Sequence, residues 1–367
     1  MLYEKQFREP EKAEQILAEI RRLSEELGPV RLMEVCGTHT MEIARLGLKS
    51  LLPREVRLIS GPGCPVCVTP AGVIDQILEL SSRPGITVAS YGDLLRVPGS
   101  RKGDCLLYRK ALGARVEAVY SPLDALKKAK EQPDRQIVFL GVGFETTAPG
   151  TAACILEAAR CGIDNFSVYC LLKRTPPALR ALIEAPDFAV QGFLCPGHVA
   201  AVTGSSAFSF LPEEYGLPAA VAGFEAGDIL YSVLRLLQML TEKRPGLVNE
   251  YIRLVKPEGN QAALSVMEQV LESCESRWRG LGTVENSGMA IRKEYAPWDA
   301  ARKFTLGPEQ DREIPGCLCA RVIRGAAEPE DCPMFGKSCT PAEPAGPCMV
   351  SGEGACAAAY RYGKLEV

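Results

Sequence analysis

Apolar residues recur along the chain with two different spacings. Between residues 11 and 27 they return every three or four positions on a charged background, which predicts an amphipathic helix that ends at Gly28. Short uninterrupted apolar runs follow, and they predict buried strands at residues 31–35, 56–60, 86–90, 136–143, 166–172, 188–194 and 219–224. Stretches with helical spacing separate these runs, among them residues 71–82, 151–162 and 228–240.

The alternation of strands with helices predicts an α/β fold with parallel sheets. Because the strands fall into two series, we predict two Rossmann-like domains around a cleft, at residues 1–125 and 126–250. Residues 251–367 form a C-terminal region, which begins with a helical pattern over residues 251–273 and continues as irregular chain into a cysteine-rich end. Ligands of open parallel sheets bind outside the carboxyl ends of the strands, so the turns that follow the strands are the candidate site.

Five of these turns carry chemically reactive residues. They read CGTHTM, GPGCPVC, YGDLLRVPGS, GVGFETTAP and CPGHVA. Both histidines of the chain and four of its cysteines lie in them: His39, His198, Cys36, Cys64, Cys67 and Cys195. If the two sheets face each other, all five turns can line one cleft between the domains.

In the first turn, Cys36 follows a strand and precedes a helix. Backbone amides and hydroxyl groups of Gly37, Thr38 and Thr40 would lie near its sulfur and favour the thiolate, and His39 could orient or deprotonate it. The alternative is a small core cysteine beside a histidine that caps a helix. The residues alone leave both interpretations open.

In the second turn, Cys64 and Cys67 form a CxxC motif in a loop that Pro62 and Pro65 stiffen. Such a pair serves as a redox dithiol, as two ligands of one metal, or as part of a tight turn. A single CxxC without a second one at zinc-finger spacing is a weak zinc signal. We expect both thiols to be exposed beside the cleft, where they can exchange with other thiols.

The remaining turns supply polar groups. GVGFETTAPG lacks the third glycine of a dinucleotide-binding fingerprint, because Thr146 stands in its place. Glu145 and its neighbouring threonines can instead hold a polar ligand or accept a proton, and helix capping is the alternative role. His198 lies beyond a strand end, where loop residues often carry function.

Composition narrows the class of protein. With 367 residues, of which 47% are hydrophobic and 24% charged, the chain predicts a globular protein of two or three units. It shows no signal peptide and no apolar run of about 20 residues, so we expect a cytoplasmic protein with no membrane partner. The formal charge of -3, with Lys and Arg scattered, predicts no nucleic-acid partner.

Cysteine is unusually frequent, with fifteen residues. In a reducing compartment clustered thiols indicate metal ligands or redox groups. Isolated cysteines are expected in structural core positions: Cys105, Cys154, Cys161, Cys170 and Cys274. The other group is a dense C-terminal set of six: Cys317, Cys319, Cys332, Cys339, Cys348 and Cys356. Six thiols suit an iron-sulfur cluster with four thiolate ligands and a spare redox pair.

These motifs together resemble the HypD family of hydrogenase maturation proteins over essentially the whole chain. The C-terminal part of the resemblance is the pattern CxC followed by DCPxFGxxCTPxxPxGPCMVSxEGACAAxY. The resemblance implies a scaffold that, with a HypC-type chaperone, holds iron while two cyanides and one carbon monoxide are installed as Fe(CN)2CO. It also implies a HypE-type cyanide donor, delivery to a nickel-iron hydrogenase large subunit, and a C-terminal 4Fe-4S domain.

The resemblance further implies roles for individual residues. Cys36 is the expected iron ligand, Cys64 and Cys67 are the central redox pair, and His39, Glu145 and His198 line the cleft. The C-terminal cysteines divide into cluster ligands Cys317, Cys332, Cys339 and Cys356 and a relay pair, Cys319 and Cys348. Cys195 receives no role.

Two other classes of protein compete with this interpretation. A stand-alone iron-sulfur disulfide reductase would use the CxxC motif against protein disulfides, and Cys36 would then be incidental. A structural zinc protein would use the same cysteines without redox chemistry. A scaffold differs from both because it co-purifies with a small partner and with iron beyond the cluster.

Overall fold

The computed structural model describes residues 10–307 and 314–363. Its strands are β1 (Val30–Glu34), β2 (Val56–Ser60), β3 (Ile86–Ser90), β4 (Arg115–Ala118), β5 (Gln136–Gly143), β6 (Phe166–Leu172), β7 (Gly192–Pro196), β8 (Ala219–Ala222), β9 (Leu247–Asn249), β10 (Leu271–Trp278) and β11 (Gly282–Ile291). Its α-helices are α1 (Pro10–Leu27), α2 (Gly37–Arg45), α3 (Leu48–Leu51), α4 (Ala71–Ser81), α5 (Leu106–Ala111), α6 (Pro122–Glu131), α7 (Ala148–Arg160), α8 (Thr175–Ile183), α9 (Gly197–Thr203), α10 (Phe210–Tyr215), α11 (Ala226–Thr241), α12 (Gln261–Val270), α13 (Ala300–Lys303), α14 (Cys319–Ile323) and α15 (Ala355–Tyr362).

Two parallel sheets confirm the predicted α/β class. The first has five strands in the order β2-β1-β7-β8-β9, and the second has four in the order β4-β3-β5-β6. On one face of the first sheet, Leu32 and Leu194 pack in a core with Ile20 of α1 and Val233 of α11. On one face of the second sheet, Phe139 packs in a core with residues of α6 and α7. Helices thus cover the apolar faces, as parallel sheets require.

In the chain, all strands of the second sheet lie between two groups of strands of the first sheet. The first sheet takes its strands from residues 30–60 and 192–249, and the second takes its strands from residues 86–172. The sheets therefore do not follow the boundaries proposed at residues 125 and 250. Hydrophobic periodicity marks where a strand lies but does not say which strand it pairs with, so chain order is a poor guide to sheet membership.

Two predicted elements differ from the structure. The strand predicted at residues 188–194 lies at Gly192–Pro196, because the chain joins β1 only where the Gln191 N–H donates to the Arg31 carbonyl. The helical pattern assigned to residues 251–273 gives a helix only at Gln261–Val270. The irregular chain predicted after it contains β10 and β11, which pair as an antiparallel hairpin.

This hairpin packs on the second sheet beyond β6. Lys173 follows β6, bridges to Gly288 of β11, and donates from Nζ to Ser276 Oγ at 2.8 Å. Trp278 is buried and its ring stacks on Phe144, which follows β5, with centroids 5.8 Å apart. The hairpin is thereby fixed against the carboxyl ends of the second sheet.

The cysteine-rich region has little regular structure. Over the described residues 314–363 it contains two α-helices, α14 and α15, and turns and short 3-10 helices connect them. Cys319, Cys339, Cys348 and Cys356 belong to the large core that also includes residues of both sheets. Among the helices in the described part of the chain, none has the length and apolar character needed to cross a membrane.

We expect Trp278→Ala to lower the free energy of unfolding by about 3–5 kcal/mol, because it removes a large buried side chain. Trp278→Phe keeps most of the apolar volume and loses the 2.8 Å bond from Nε1 to Ser287 Oγ, so we expect a loss of about 1 kcal/mol. Urea denaturation followed by circular dichroism measures both. Tyr120→Ala, at a fully solvated position, is the control, and equal stability of the two alanine variants would contradict the packing role.

Candidate functional site

The carboxyl ends of both sheets border one cavity of about 300 Å³. From the first sheet and its turns it is lined by Val35, Cys36, Thr38, Gly63, Pro65, Val66, Pro196, His198 and Val199. From the second sheet it is lined by Tyr91, Asp93, Leu94, Val142, Gly143, Phe144, Thr146 and Thr147, and the cysteine-rich region adds Glu353. Residues from all five turns singled out in the sequence meet at this cavity, which is the cleft.

Cys36 occupies the N-cap of α2, in extended conformation after β1. Its sulfur faces the backbone N–H groups of Thr38 and His39, which favour the thiolate. Burial, and next the carboxyl of Glu353, act in the opposite sense and raise the pKa of the Cys36 thiol to about 12. Of the predicted groups only the Thr38 N–H faces the sulfur, because the Gly37 N–H donates to the Gly63 carbonyl and Thr40 Oγ1 donates to Glu34. Burial outweighs the two amides, so the free thiol is neutral at physiological pH.

The GPGCPVC loop lies directly against Cys36. The Gly37 N–H donates to the Gly63 carbonyl at 2.9 Å. A Cβ atom at Gly63 would overlap the backbone of Cys36, so only glycine allows the two turns to approach this closely.

A disulfide joins Cys64 and Cys67, whose Cα atoms are 5.2 Å apart. The expected exposure of the two sulfurs is wrong: the residues are 5% and 2% exposed. The neighbouring residues Pro65 and Val66 line the cavity, whereas the two cysteines are not among its lining residues.

The two histidines form part of an aromatic stack. Phe224 lies between them, with ring centroids 4.0 Å from His198 and 4.6 Å from His39. His198 is exposed and lines the cavity. His39 is fully buried behind the wall, where its Nε2 is 2.8 Å from the Gly223 carbonyl, and burial lowers the pKa of His39 to about 4. His39 thus supports the site and does not line it.

Glu145 also lies behind the wall. Its carboxylate accepts hydrogen bonds from the Thr175 N–H at 2.7 Å and from Thr175 Oγ1 at 2.9 Å. Burial raises the pKa of Glu145. This arrangement ties the end of β5 to the start of α8, and the following residues Thr146 and Thr147 are the ones that line the cavity.

Three carboxyl groups at the site are absent from the sequence-based set. Glu353 accepts from Thr38 Oγ1 at 2.9 Å, and Asp93 accepts from Ser351 Oγ at 3.3 Å. Buried Glu34 accepts from Thr40 Oγ1 at 2.5 Å and from the Cys36 N–H at 3.2 Å. The first two carboxyls join the cysteine-rich region to the cleft. Glu34 ends a strand and Asp93 follows one, so the tendency of ligands to bind at the carboxyl ends of parallel strands could have identified both. Glu353 follows no strand, and no pattern in the sequence identifies it.

Burial dominates the electrostatics of these carboxyl groups. It raises the pKa of Glu34 to about 8, although hydrogen bonds from Thr40 and Ser60 partly offset the effect. It also raises the pKa values of Asp93 and Glu353. The cavity wall beside Cys36 therefore carries less negative charge at neutral pH than three solvated carboxylates would.

The C-terminal cysteines converge on a second, small cavity of about 10 Å³. All six line it, together with Phe335, Gly346 and Met349. The sulfurs of Cys319 and Cys348 are 2.7 Å apart. Cys317 also contacts Cys319, and burial contributes to raised pKa values of the thiols of Cys317, Cys319, Cys348 and Cys356. Within residues 10–307 and 314–363, no three His, Cys, Asp or Glu side chains converge closely enough to hold a single metal ion.

The isolated cysteines differ in burial. Cys154 is buried as predicted, and Cys195 is buried within β7, away from the cavity surface. Cys105, Cys170 and Cys274 are half-buried. Cys161 is exposed beyond the end of α7, so the prediction of a core position is wrong for it. The apolar pattern of α7 continues into its last turn, so the sequence does not indicate that Cys161 lies at the surface.

Comparison with known proteins adds a family. Residues 11–363 match the model named HypD, described as the hydrogenase formation hypA family. The hydrogenase maturation factor HypD of Rhodobacter capsulatus is 44% identical over 373 residues, covering 99% of this chain and 98% of that protein. Its namesake in Azotobacter vinelandii is 45% identical over 370 residues, with coverage of 99% and 97%. The Escherichia coli K12 protein of the same name is 42% identical over 372 residues, with coverage of 100% and 99%.

The buried His39 predicts a pH-dependent stability. Because its pKa is lowered by folding, the unfolded chain takes up the proton first as pH falls from about 6.5 towards 4, and the folded state loses stability across that window. We expect this to cost at most about 3 kcal/mol. His39→Gln should lack the loss, as shown by urea denaturation at pH 7 and pH 4.5. Burial also lowers the pKa of His198, so His198→Gln is measured in parallel and should still show the loss that His39 causes. An equal loss in wild type and His39→Gln would contradict the assignment.

Proposed function

The chain belongs to the HypD family of hydrogenase maturation factors, and we propose that it is the scaffold on which the Fe(CN)2CO group of a nickel-iron hydrogenase is assembled. The observation that carries this proposal is the position of Cys36. It is the cysteine that lines the cavity between the two sheets, it begins a helix, and a disulfide loop packs against its backbone.

Iron is the substrate of this site, and Cys36 is the protein ligand that we propose for it. Iron that carries cyanide and carbon monoxide is soft, and thiolate is a matching ligand. Binding iron would displace the proton from a thiol whose pKa is about 12, and the N–H groups of Thr38 and His39 would stabilise the resulting thiolate. A single protein thiol leaves the other coordination positions to the diatomic ligands and to a partner.

The proposed partners are a small HypC-type chaperone, which contributes a second thiol to the iron, and a HypE-type protein, which brings cyanide as a thiocyanate. The exposed His198 at the cavity wall supports access from the surface. The completed group would pass to the large subunit of a hydrogenase. This route requires the site to admit the cyanide donor while the small chaperone shares the iron, which suits an open cavity of about 300 Å³ better than an enclosed one.

The CxxC pair is the proposed source of electrons for cyanide release. Cleaving cyanide from a thiocyanate takes two electrons and one proton, and it leaves a thiol and a cyanide ion. Oxidation of the Cys64 and Cys67 thiols to their disulfide yields two electrons and two protons, so the electrons balance and one proton is released. The packing of this loop on Cys36 supports the pairing of the two events, because the electrons are then produced next to the iron ligand.

The C-terminal cysteines suit a 4Fe-4S cluster, which would supply electrons one at a time. We propose that Cys317, Cys332, Cys339 and Cys356 hold it, and that Cys319 and Cys348 act as the relay pair. The 2.7 Å approach of the last two sulfurs supports that division. The donor set around the cavity is entirely sulfur and otherwise apolar, as cluster sites require, although the thiols must rotate outward to make room.

The competing interpretation is a stand-alone disulfide reductase. Its CxxC pair would have to react with disulfides of other proteins, but Cys64 and Cys67 are almost completely buried. The scaffold needs no such encounter, because its electrons are used inside the same cavity. Burial of the pair therefore favours the scaffold.

Cys36→Ala tests the iron site. We expect the anaerobically purified complex with its small partner to lose the additional iron and the infrared bands of metal-bound cyanide and carbon monoxide, while the fold and the visible absorption of the cluster persist. Cys195→Ala, which removes a buried thiol outside the cavity, should keep the bands. Bands of full strength in the Cys36 variant would exclude the proposed ligand.

Cys339→Ala tests the division of the C-terminal thiols. We expect it to abolish the broad visible absorption and to reduce the iron content from about four atoms per chain, because it removes one of four thiolate ligands. Cys348→Ser, which removes one member of the relay pair, should retain the cluster. Iron analysis and visible spectra of the anaerobic proteins measure both, and loss of the cluster in the Cys348 variant alone would reverse the assignment.

A further inference from the structure

The turn that follows β9 lies against the wall of the cleft. A Cβ atom at Gly197 would overlap the ring of Tyr251, and Gly197 lies between two residues that line the cavity. The Tyr251 ring also packs edge-on against Phe224, with centroids 5.9 Å apart, and Phe224 stacks on His198. Residues 251–255, which we call the rim turn, therefore border the cavity on the side of His198.

Hydrogen bonds and one ion pair fix the conformation of the rim turn. Asn249 accepts from the Tyr251 N–H at 3.0 Å and donates from Nδ2 to the Val255 carbonyl at 2.9 Å, so it joins both ends of the turn. Arg253 donates to both carboxylate oxygens of Asp228, from Nη1 at 2.8 Å. The guanidinium also lies over the Tyr251 ring, 4.5 Å from its centroid. Asp228 is fully buried in α11, so the ion pair anchors the turn to the helix that covers the first sheet.

The outer side of the rim turn is apolar. Ile252 is 64% exposed and Leu254 is 52% exposed. Isolated exposed apolar side chains are common on protein surfaces and need no partner. Here two of them lie two positions apart on a turn of fixed conformation, and the charged residue between them is bound to a buried carboxylate. Groups fixed in this way lose little conformational entropy on binding, which favours the docking of another protein.

We propose that Ile252 and Leu254 form a docking surface for the small chaperone that shares the iron with Cys36. This inference rests on the proposed function, because it requires that partner. A cavity of about 300 Å³ has the size of a small-ligand pocket, so a protein that brings a thiol to the iron must be held by contacts outside it. The rim turn supplies such contacts directly beside the cavity wall.

The chaperone suits this surface better than the cyanide donor does. It must stay bound while all of the diatomic ligands are installed, whereas the donor arrives and leaves. Long-lived protein interfaces are more apolar than transient ones. Two branched apolar side chains on a fixed turn therefore match a partner that remains in place and that presents an apolar surface of its own.

The test measures the dissociation constant between the full chain, purified anaerobically, and its HypC-type partner by isothermal titration calorimetry. For Ile252→Asp we expect this constant to rise on the order of tenfold, and for Ile252→Asp with Leu254→Asp on the order of a hundredfold, because each carboxylate would be desolvated in an apolar interface. The double methionine variant at the same two positions keeps the apolar character and should bind about as tightly as wild type. The matched control is Leu112→Asp, because Leu112 is 65% exposed and precedes the amino end of β4, at the opposite end of the second sheet from the cavity.

Each outcome decides the inference. Equal affinity of wild type and the double aspartate variant would overturn it, and so would an equal loss of affinity in Leu112→Asp. A loss confined to binding of the HypE-type donor would assign the surface to the donor and overturn it as well. The same holds if wild type sediments as a dimer that the aspartate variant dissociates, because a second copy of the chain would then occupy the surface.

Circular dichroism checks the fold of each variant. If the double aspartate variant does not fold, Ile252→Ser with Leu254→Ser takes its place, and unchanged affinity of that variant overturns the inference. If wild type binds no HypC-type partner, the proposed function itself fails. That result is distinct from normal binding by both wild type and variant, which removes the docking surface alone.

Discussion

The packing of Gly63 on the backbone of Cys36 is the contact on which the arrangement of the cleft depends. The two turns come from neighbouring strands of one parallel sheet, so their carboxyl ends are adjacent without any further constraint. The absence of a side chain at Gly63, together with the bond from the Gly37 N–H to its carbonyl, then brings the disulfide loop into van der Waals contact with the candidate iron ligand. Residues of the CxxC loop and the Cys36 thiol thereby share one wall of one cavity.

Several contacts join the cysteine-rich region to this wall, among them the bond from Ser351 to Asp93, and two of them lie next to Cys36 and the CxxC loop. One runs through Glu353, which bonds to Thr38 beside Cys36 and lies between two of the C-terminal cysteines in the sequence. The other is the hairpin turn at Arg279 and Gly280, which touches the CxxC loop and α14. The two connections approach the cleft from different elements. The cysteine-rich region is therefore packed both against the turn of Cys36 and against the CxxC loop.

Sequence patterns predicted most of the strands and all of the turns that meet at the cleft, because buried parallel strands are short apolar runs and their carboxyl ends share one edge. They did not predict the hairpin at residues 271–291. The first strand of the hairpin, LESCESRW, is too polar to be recognised as a strand from its sequence. The hairpin is positioned by contacts with the end of β6 and with Phe144, which are distant in the chain. The burial of Cys64 and Cys67, and the position of His39 behind the wall, depend on the same long-range packing. Such long-range packing cannot be predicted from neighbouring residues in the sequence.

Burial has the same effect on the pKa of several cysteine thiols in the structure. It raises the pKa of the thiols of Cys36, Cys339 and Cys356, which favours their neutral form. Thiolates, not thiols, are the forms that oxidants attack, and a neutral buried sulfur is therefore protected from oxidation. In the function proposed above, a metal that binds these thiols must displace their protons, so its affinity would rise with pH until the thiol is fully ionised.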